Sequence, residues 1–334
     1  MGSDGMLAPK SKSWKLSLQQ AIRSLGELLD VIDLSRDQLP PLDESPDFPL
    51  LVPREFAARM KRGDPSDPLL LQVLPLASER ESVAGYSDDA VGDSNATKSP
   101  GLIHKYPTRA LLVASGMCAV NCRYCFRRHF PYDEAPKSLI QWHEALGYIA
   151  EHPQIQEVIL SGGDPLSLGN SKLFELLRAA NQISHVQRIR IHTRFPVMIP
   201  SRIDTEFLEE ISAMERAIWM VLHINHVREI DQELCDALKG LRRAGVILMN
   251  QAVLLRGVND TLEAQRDLCV GLVNAGVQPY YLHQLDRVGG AAHFESDVAL
   301  GEQIVDRLRS ELSGYAVPRF VREVAGESSK TLIR

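Results

Sequence analysis

From Arg109 onward, short apolar runs of β-type composition alternate with stretches that carry apolar residues at helical spacing. The runs predict six strands, ALLVAS (110–115), EVILSG (157–162), RIRIHT (188–193), AIWMVLH (217–223), VILMNQAVLL (246–255) and VQPYYLHQLD (277–286). Six β/α units in series predict an α/β fold whose parallel sheet curls into a partial (β/α)6 barrel of the TIM type. An open, doubly wound sheet is the alternative. In either fold, ligands bind at the carboxyl ends of the strands.

The first 100 residues follow a different pattern, which predicts a helical extension and linker over 1–100 before a barrel over 101–316. A stripe of leucine and isoleucine residues predicts one amphipathic helix over 13–32, ended by the prolines at positions 40 and 41. Further prolines break the segment 48–75 into short helices, and the polar stretch 85–101 reads as a loop.

Charge and composition narrow the class of protein. The formal net charge of −6 and the absence of basic clusters argue against a nucleic-acid partner. The N-terminal sequence has no secretory pattern, and no apolar run is long enough to span a bilayer. Three of the five cysteines lie close together, which argues against a disulfide framework. We therefore expect a soluble, cytoplasmic protein with no membrane partner.

The three clustered cysteines lie in GMCAVNCRYCFRRHF, residues 116–130, directly after the first predicted strand. Cys118, Cys122 and Cys125 have the spacing C-x3-C-x2-C, so that their thiolates can converge on one centre. A structural zinc site needs four ligands, whereas three thiolates suit a [4Fe–4S] cluster whose remaining iron binds an outside ligand. The spacing favours the cluster, with zinc or free thiols as the alternatives.

A glycine turn, LSGGDPL (160–166), follows the second predicted strand. Gly162 and Gly163 allow the backbone to approach a ligand closely, and Asp164 follows them. Alone, this is a common turn. In series with the cysteine loop, one β/α unit later, it predicts a second part of one ligand site.

The cysteine spacing, with the aromatic Tyr124 before the third cysteine, resembles the signature of radical S-adenosylmethionine (radical SAM) enzymes. The resemblance implies a [4Fe–4S] cluster, S-adenosyl-L-methionine (SAM) on its open iron, and a 5′-deoxyadenosyl radical that abstracts hydrogen from the substrate. It implies that Tyr124 packs near the adenine. The residues implied to bind SAM are Tyr124, Ser161, Gly162, Gly163, Asp164, His223 and Gln251.

Further stretches resemble the lysine 2,3-aminomutases within that superfamily. They are HKYPTRALLVASGMCAVNCRYCFRRHF, LSGGDPL, HINH (223–226), NQAVLLRGVND (250–260), PYYLHQLD and GYAVPRFVREVAGESSKT, in this order along the chain. The N-terminal residues also resemble the short form of the family, whose product β-lysine is attached to elongation factor P. Longer members continue into a zinc-binding region, so the resemblance implies no zinc and a different or smaller oligomer contact here.

This family also uses pyridoxal 5′-phosphate (PLP), and the resemblance implies that Lys330, in a C-terminal segment over 317–334, holds it as an aldimine. Arg109 is implied for the PLP phosphate and Arg127 for the substrate α-carboxylate. Asp286 and Glu323 are implied to pair with the substrate ε-ammonium. Glu323 departs from the aspartate that is usual at its position, which leaves its exact contact open.

The resemblance implies an isomerase that converts L-α-lysine into β-lysine. Its implied partners are elongation factor P with its lysyl ligase, an electron donor such as flavodoxin or ferredoxin, and another copy of the chain in a homo-oligomer. The rival interpretations are a related aminomutase for glutamate or arginine, and a zinc-stabilised binding protein without catalytic activity. A glutamate enzyme should carry cations, rather than Asp286 and Glu323, around the side-chain end of its substrate.

Overall fold

A computed structural model describes residues 13–334, so the first twelve residues of the predicted extension lie outside the described part. Within residues 13–334 the chain forms one sheet of ten strands. The strands are β1 (Thr97–Ser99), β2 (Leu102–Tyr106), β3 (Arg109–Ser115), β4 (Glu157–Gly162), β5 (Arg188–Thr193), β6 (Ala217–Leu222), β7 (Ile247–Val253), β8 (Gln278–His283), β9 (Arg319–Arg322) and β10 (Thr331–Leu332).

Helices cover the outer face of this sheet, and short helices also occur in the N-terminal segment. They are α1 (Trp14–Gln19), α2 (Leu25–Ile32), α3 (Arg54–Ala57), α4 (Pro68–Leu71), α5 (Asp93–Ala96), α6 (Leu139–Glu151), α7 (Asn170–Asn181), α8 (Phe195–Met198), α9 (Thr205–Ser212), α10 (Gln232–Arg243), α11 (Leu262–Asn274) and α12 (Val298–Glu311). Of the helices in residues 13–334, none combines the length and apolar character that crossing a membrane requires.

The order of strands in the sheet follows their order in the chain. Strands β3 to β9 run parallel, whereas β1, β2 and β10 add antiparallel pairs at the two ends. A doubly wound sheet requires a reversal of strand order, so this topology excludes that alternative. The six predicted strands are confirmed as β3 to β8, and the α/β fold with a partial barrel is confirmed with them.

The two ends of the curled sheet approach each other through side chains. Tyr106, the last residue of β2, donates a hydrogen bond to Oε1 of Glu323, which follows β9, at 2.6 Å. Across residues 13–334, β1 and β10 do not pair with each other, so the sheet remains open. The barrel is therefore curled but not closed, and the C-terminal segment lies across the gap.

Alternation along the strands separates the core from the central cavity. In β5, Ile189 and Ile191 are buried in the main hydrophobic core, whereas Arg190 and His192 line the cavity. This follows from the two-residue period of a strand, which directs successive side chains to opposite faces. Polar residues at alternate positions therefore point inward without disturbing the packing of the helices.

The prediction of one helix over 13–32 is wrong. The chain breaks between α1 and α2, where Ile22 forms an antiparallel bridge with Val52 through N–O distances of 2.8 and 3.0 Å. The side chain of Ser24 then caps α2 by accepting a hydrogen bond from the Glu27 N–H at 3.3 Å. The apolar stripe did not reveal the break because Ile22 is fully buried in the bridge, as it would be on a helix face.

The short helices predicted over 48–75 are confirmed as α3 and α4. The predicted loop over 85–101 is wrong in part, because it contains α5 and β1. The N-terminal segment shares its hydrophobic core with the barrel, and Trp14 packs edge-on against Phe195 at a ring distance of 5.5 Å. The segment is thus built into the outer wall beside the carboxyl ends of the strands.

Candidate active site

A cavity of about 570 Å³ lies inside the curled sheet. Its lining includes side chains from β2 to β8, the loop after β3 and the C-terminal segment. All fifteen site residues predicted from the sequence line this one cavity. They are Arg109, Cys118, Cys122, Tyr124, Cys125, Arg127, Ser161, Gly162, Gly163, Asp164, His223, Gln251, Asp286, Glu323 and Lys330.

The loop that carries the three cysteines is held from outside by the N-terminal segment. The Arg123 N–H donates to the Gln72 carbonyl at 2.9 Å. The guanidinium groups of Arg123 and Arg128 each donate to the buried Glu79 carboxylate at 2.8 Å. Breaking a buried ion pair of this kind costs about 3–5 kcal/mol. These contacts fix the shape of the loop through residues that are not themselves cluster ligands.

Burial favours the neutral form of two of the three cysteine thiols. Burial raises the pKa of the Cys125 thiol to about 11 and that of Cys118 well above its usual value, so a metal bound there would have to replace the proton on these two sulfurs. Within residues 13–334, no three His, Cys, Asp or Glu side chains converge closely enough to hold one metal ion. Each thiolate of a [4Fe–4S] cluster binds a different iron, so the cluster does not require that convergence.

The glycine turn after β4 packs directly on the start of the cysteine loop. Gly162 has a φ of +123°, and a Cβ on it would lie 2.5 Å from the Ser115 carbonyl oxygen. A Cβ on Gly163 would lie 2.6 Å from the Met117 oxygen. The glycines are therefore required for contact between two chain segments, in addition to the predicted approach to a ligand.

The Asp164 carboxylate is fully used within the protein. Its Oδ1 accepts hydrogen bonds from the Leu166 N–H at 2.9 Å and the Thr193 hydroxyl at 2.7 Å. Its Oδ2 accepts from the N–H groups of Arg194 and Phe195 at 2.7 and 2.9 Å. Burial raises its pKa to about 6 despite these four donors. The side chain ties the ends of β4 and β5 together, which leaves the backbone of the turn as the part that can meet a ligand.

A buried polar network surrounds Tyr124. The Tyr124 ring stacks on His223 at 5.6 Å, and the hydroxyl lies 3.1 Å from the His223 Nε2. Gln72 Oε1 accepts hydrogen bonds from the Tyr124 hydroxyl at 3.2 Å and from Arg194 at 2.7 Å. Burial, assisted by the nearby Arg194 charge, lowers the pKa of His223 to about 3, so its imidazole is neutral. The network holds one aromatic face beside the cysteine loop.

Arg127 and Lys105 share one buried carboxylate, that of Asp93. The Arg127 Nε donates to Asp93 Oδ2 at 2.7 Å, and its Nη1 donates to the Ser161 hydroxyl at 3.2 Å. Lys105 Nζ lies 2.7 Å from Asp93 Oδ1. Burial alone would raise the pKa of Asp93, but the charges of Arg127 and Lys105 hold it below its usual value. This carboxylate is therefore ionised and balances two cations at the cavity wall.

Lys330 reaches into the same cavity from the C-terminal segment. Its Nζ donates to Glu323 Oε2 at 2.6 Å, and the other Glu323 oxygen accepts from Tyr106. Burial would raise the pKa of Glu323, but Lys330, Tyr106 and Lys105 together lower it below its usual value. Burial raises the pKa of Asp286 to about 7, against the opposing effect of the Lys330 charge. Around Lys330, the cavity thus holds one firmly ionised carboxylate, Glu323, and one that titrates near neutrality, Asp286.

The part of the cavity at the amino ends of the strands, away from the cysteine loop, is basic and aromatic. The Arg109 guanidinium lies 4.0 Å from the centre of the Tyr106 ring. Arg190 Nε lies 2.7 Å from Glu157 Oε1, and Arg188 lines the same region. The guanidinium groups of this region outnumber its one carboxylate, and they form a donor set that fits a phosphate group.

Three residues with central positions did not stand out in the sequence: Gln72, Asp93 and Lys105. Lys105 lies in the matched stretch HKYP, so that stretch could have pointed to it. Gln72 and Asp93 lie in segments that were predicted only as a broken helix and a loop. The contacts of these two residues depend on how the N-terminal segment folds against the barrel, so no local sequence pattern predicts them.

Comparison with known proteins agrees with this arrangement. Residues 112–266 match the family model described as the Radical SAM superfamily. The chain is 44% identical over 325 residues to L-lysine 2,3-aminomutase from Escherichia coli (strain K12), covering 97% of this chain and 95% of that protein. The proteins of the same name from Haemophilus influenzae and Buchnera aphidicola are 44% and 39% identical over 324 residues each. Those alignments cover 97% and 96% of this chain, and 96% and 95% of the relatives.

Proposed function

This chain belongs to the lysine 2,3-aminomutase family of radical SAM enzymes, and we propose that it converts L-α-lysine into β-lysine with the aid of PLP. Membership of the family makes it an isomerase and implies a [4Fe–4S] cluster and SAM. The observation that carries the proposal is the single cavity lined by three cysteines, Lys330, two acids and Arg127. If the Lys330 amine lay far from the three cysteine sulfur atoms, PLP and SAM could not act on the same substrate.

Different regions of the cavity carry the residues that would hold the cluster and PLP. Cys118, Cys122 and Cys125 would hold the cluster, Lys330 would hold PLP through its amine, and Arg109 would contact the phosphate. When bound, the cluster with SAM supplies a hydrogen-abstracting radical, and PLP supplies a π system for the 1,2-shift of the amino group. The protein supplies position, charge and exclusion of water, which a radical reaction requires.

The charges around the cavity favour a substrate with a carboxylate at one end and an ammonium at the other. Arg127 uses Nε and Nη1 on Asp93 and Ser161, and its guanidinium lines the cavity, where it can bind the α-carboxylate. Glu323 and Asp286 lie near Lys330, where they can bind the ε-ammonium. A glutamate side chain would place a third carboxylate beside these two, and like charges in contact cost several kcal/mol.

The direct test is anaerobic turnover of isotopically labelled lysine by the reduced enzyme loaded with iron, sulfide, SAM and PLP, with chiral analysis of the products. We expect β-lysine from lysine and at least about a hundredfold lower kcat/KM with glutamate, as a loss of about 3 kcal/mol of charge pairing implies. Arginine keeps a cation at its side-chain end, so it tests the fit of a longer side chain rather than the charge. Formation of a β-amino acid from glutamate or arginine alone would replace lysine as the proposed substrate. If the protein as purified anaerobically, before loading, is colourless and iron-free and holds stoichiometric zinc, the result would instead support a zinc-stabilised binding protein without catalytic activity.

The affinity of the enzyme for the ammonium end of the substrate should depend on pH. Asp286 has a pKa of about 7, and the charged groups that face it are Lys330, Glu323, Lys105 and Asp93. Because the ε-ammonium stays charged to about pH 10, binding should strengthen as Asp286 ionises between pH 6 and pH 8. Titration calorimetry with 6-aminohexanoate, which has both charged ends of lysine but no α-amino group, should show an affinity gain of about tenfold over this range.

Asp286→Asn provides the control for that titration. We expect the variant to bind 6-aminohexanoate about tenfold more weakly at pH 8, with an affinity that stays flat from pH 6 to pH 8. The raised pKa also means that ionisation of Asp286 lowers the free energy of unfolding of the ligand-free enzyme as the pH rises from 3.8 to about 7. The variant should lack this decrease, and an unchanged pH dependence of binding would exclude Asp286 from the ammonium site.

The remaining steps of the proposal rest on resemblance to the short form of the family. β-Lysine would leave the enzyme and reach a lysyl ligase that attaches it to elongation factor P, and flavodoxin or ferredoxin would reduce the cluster. We propose a cytoplasmic site of action and a homo-oligomer. Supplying the enzyme's product to the ligase and elongation factor P should give a protein heavier by one β-lysyl group, whereas unmodified factor would remove this step.

A further inference from the structure

Asp93 is a buried carboxylate that reaches the cavity from outside the barrel strands. It is the first residue of α5, and only 2% of its surface is exposed. Its N–H donates to Asp89 Oδ1 at 2.8 Å, which fixes the start of the helix. Its two oxygens point in different directions, one to Arg127 and one to Lys105.

On one side, Asp93 determines the orientation of the Arg127 guanidinium. Arg127 donates through Nε to Asp93 and through Nη1 to Ser161, and its Nη2 donates no hydrogen bond to any residue in 13–334. The Nη2 edge is the part of the group that a carboxylate in the cavity can reach. Without Asp93, the guanidinium would keep one hydrogen bond, to Ser161 at 3.2 Å, and its contact with the Phe126 ring at 4.8 Å, neither of which supplies a counter-charge.

On the other side, Asp93 holds the ammonium of Lys105. Lys105 Nζ lies 2.7 Å from Asp93 Oδ1 but 3.9 Å from Glu323 Oε1. It also donates to the Val91 carbonyl at 2.7 Å. Removal of the Asp93 charge would leave Glu323 as the nearest carboxylate for this buried cation. Lys105 would then compete for the acid that the proposed function assigns to the substrate ammonium.

We propose that Asp93 is a positioning residue for both charged ends of the substrate: it orients Arg127 and keeps Lys105 away from Glu323. The proposal rests on the proposed function, which assigns Arg127 and Glu323 to the two ends of lysine. Because Asp93 itself belongs to the N-terminal segment, this role gives that segment a part in substrate selection. The opposed charges Arg127, Asp93, Lys105, Glu323 and Lys330 form one continuous series along the cavity wall.

Asp93→Asn tests the proposal, with 6-aminohexanoate as the probe because it cannot react. We expect the affinity for this probe to fall at least about tenfold, and KM for lysine to rise by a similar factor with a smaller change in kcat. Asp93→Glu, which keeps the charge, should recover part of the affinity. Asp88→Asn is the matched control, since the Asp88 side chain is 83% exposed and should leave the affinity unchanged.

A second variant separates the two sides of Asp93. In the Asp93→Asn/Lys105→Gln double variant, the Lys105 ammonium can no longer move to Glu323, so the affinity should recover at least about threefold over Asp93→Asn. Absence of recovery would remove Lys105 from the proposal, and an Asp93→Asn affinity within twofold of the wild type would overturn it entirely. If Asp93→Asn does not fold, the double variant decides: an affinity equal to that of Lys105→Gln alone would overturn the role of Asp93.

The same measurements distinguish a failure of the proposed function. If the wild-type enzyme neither binds 6-aminohexanoate nor makes β-lysine, the substrate assignment fails before Asp93 is at issue. If the wild type does both and Asp93→Asn behaves identically, the assignment stands and the positioning role fails. Iron and PLP content should be unchanged in every variant, because Asp93 contacts neither a cysteine nor Lys330.

Discussion

Lys330→Ala is expected to abolish β-lysine formation and the absorbance of protein-bound PLP, while the iron content of the enzyme stays unchanged. Lys330 contributes the amine through which PLP would be held, whereas the cysteines lie on a separate loop after β3. Loss of a covalent anchor of this kind lowers kcat by at least about a thousandfold. The measurements are the absorption spectrum of the PLP-loaded protein, the iron content and the yield of β-lysine.

Two further variants separate covalent attachment from the ion pair with Glu323. Lys330→Arg keeps a cation on the residue whose Nζ lies 2.6 Å from Glu323 Oε2, but it cannot hold PLP covalently, so it should also lose the absorbance. Lys105 is a second amine on the cavity wall, and Lys105→Gln should retain the absorbance. Retention in Lys330→Ala and loss in Lys105→Gln would move the attachment to Lys105. Equal loss of iron and PLP in Lys330→Ala would show that the residue supports the fold.

The strands of the barrel were predictable because each one carries its own signal. The predicted bounds of β5, 188–193, agree with the structure at both ends. That run alternates arginine or histidine with isoleucine, so the pattern marks both the strand and its two faces. The short strands β9 and β10 were missed, because their pairing depends on partners that only the tertiary structure supplies.

The centre of the site was predictable for a similar reason. The cysteines and the glycine turn are local motifs whose spacing reflects the chemistry, and both line the cavity. The predicted role of the glycines, close approach to a ligand, was incomplete. Gly163 also packs against the Met117 backbone, and only the fold brings those segments together. Asp164 was predicted only as a ligand-binding residue because it lies in that motif. In the structure its carboxylate links the ends of β4 and β5 through hydrogen bonds from Thr193 and the Arg194 N–H.

The residues that tune the site were not predictable from local patterns. Asp93 and Gln72 are single polar residues in proline- and glycine-interrupted segments, and their importance lies in burial against partners far along the chain. Burial determines whether an acid is a solvated surface group or an obligatory counter-ion. Sequence spacing reports neither burial nor partner for such residues, so the N-terminal segment appeared to be a simple extension.

Cys125→Ser is expected to give the opposite outcome to Lys330→Ala: loss of iron with retention of bound PLP. A hydroxyl is a harder and much less acidic ligand than a thiol, so it binds iron of a cluster poorly. Loss of a hydrogen bond to a ligating side chain already weakens metal sites by about 10- to 100-fold, so loss of a ligand itself should lower cluster occupancy and β-lysine yield by at least about a hundredfold. The readouts are iron and sulfide content, reductive cleavage of SAM, and the PLP absorbance.

Cys235→Ser is the matched control, because Cys235 lies on α10, away from the cavity, and is partly buried like Cys125. It should retain iron, PLP and activity. Iron retained at the wild-type level in Cys125→Ser would show that this cysteine is not a ligand and would reopen the choice of cluster ligands. Simultaneous loss of iron and PLP would mean that the cluster loop and the C-terminal segment, which line the same cavity, depend on each other for folding. The reciprocal result, with each variant losing one group and keeping the other, requires two independent binding regions meeting in one cavity.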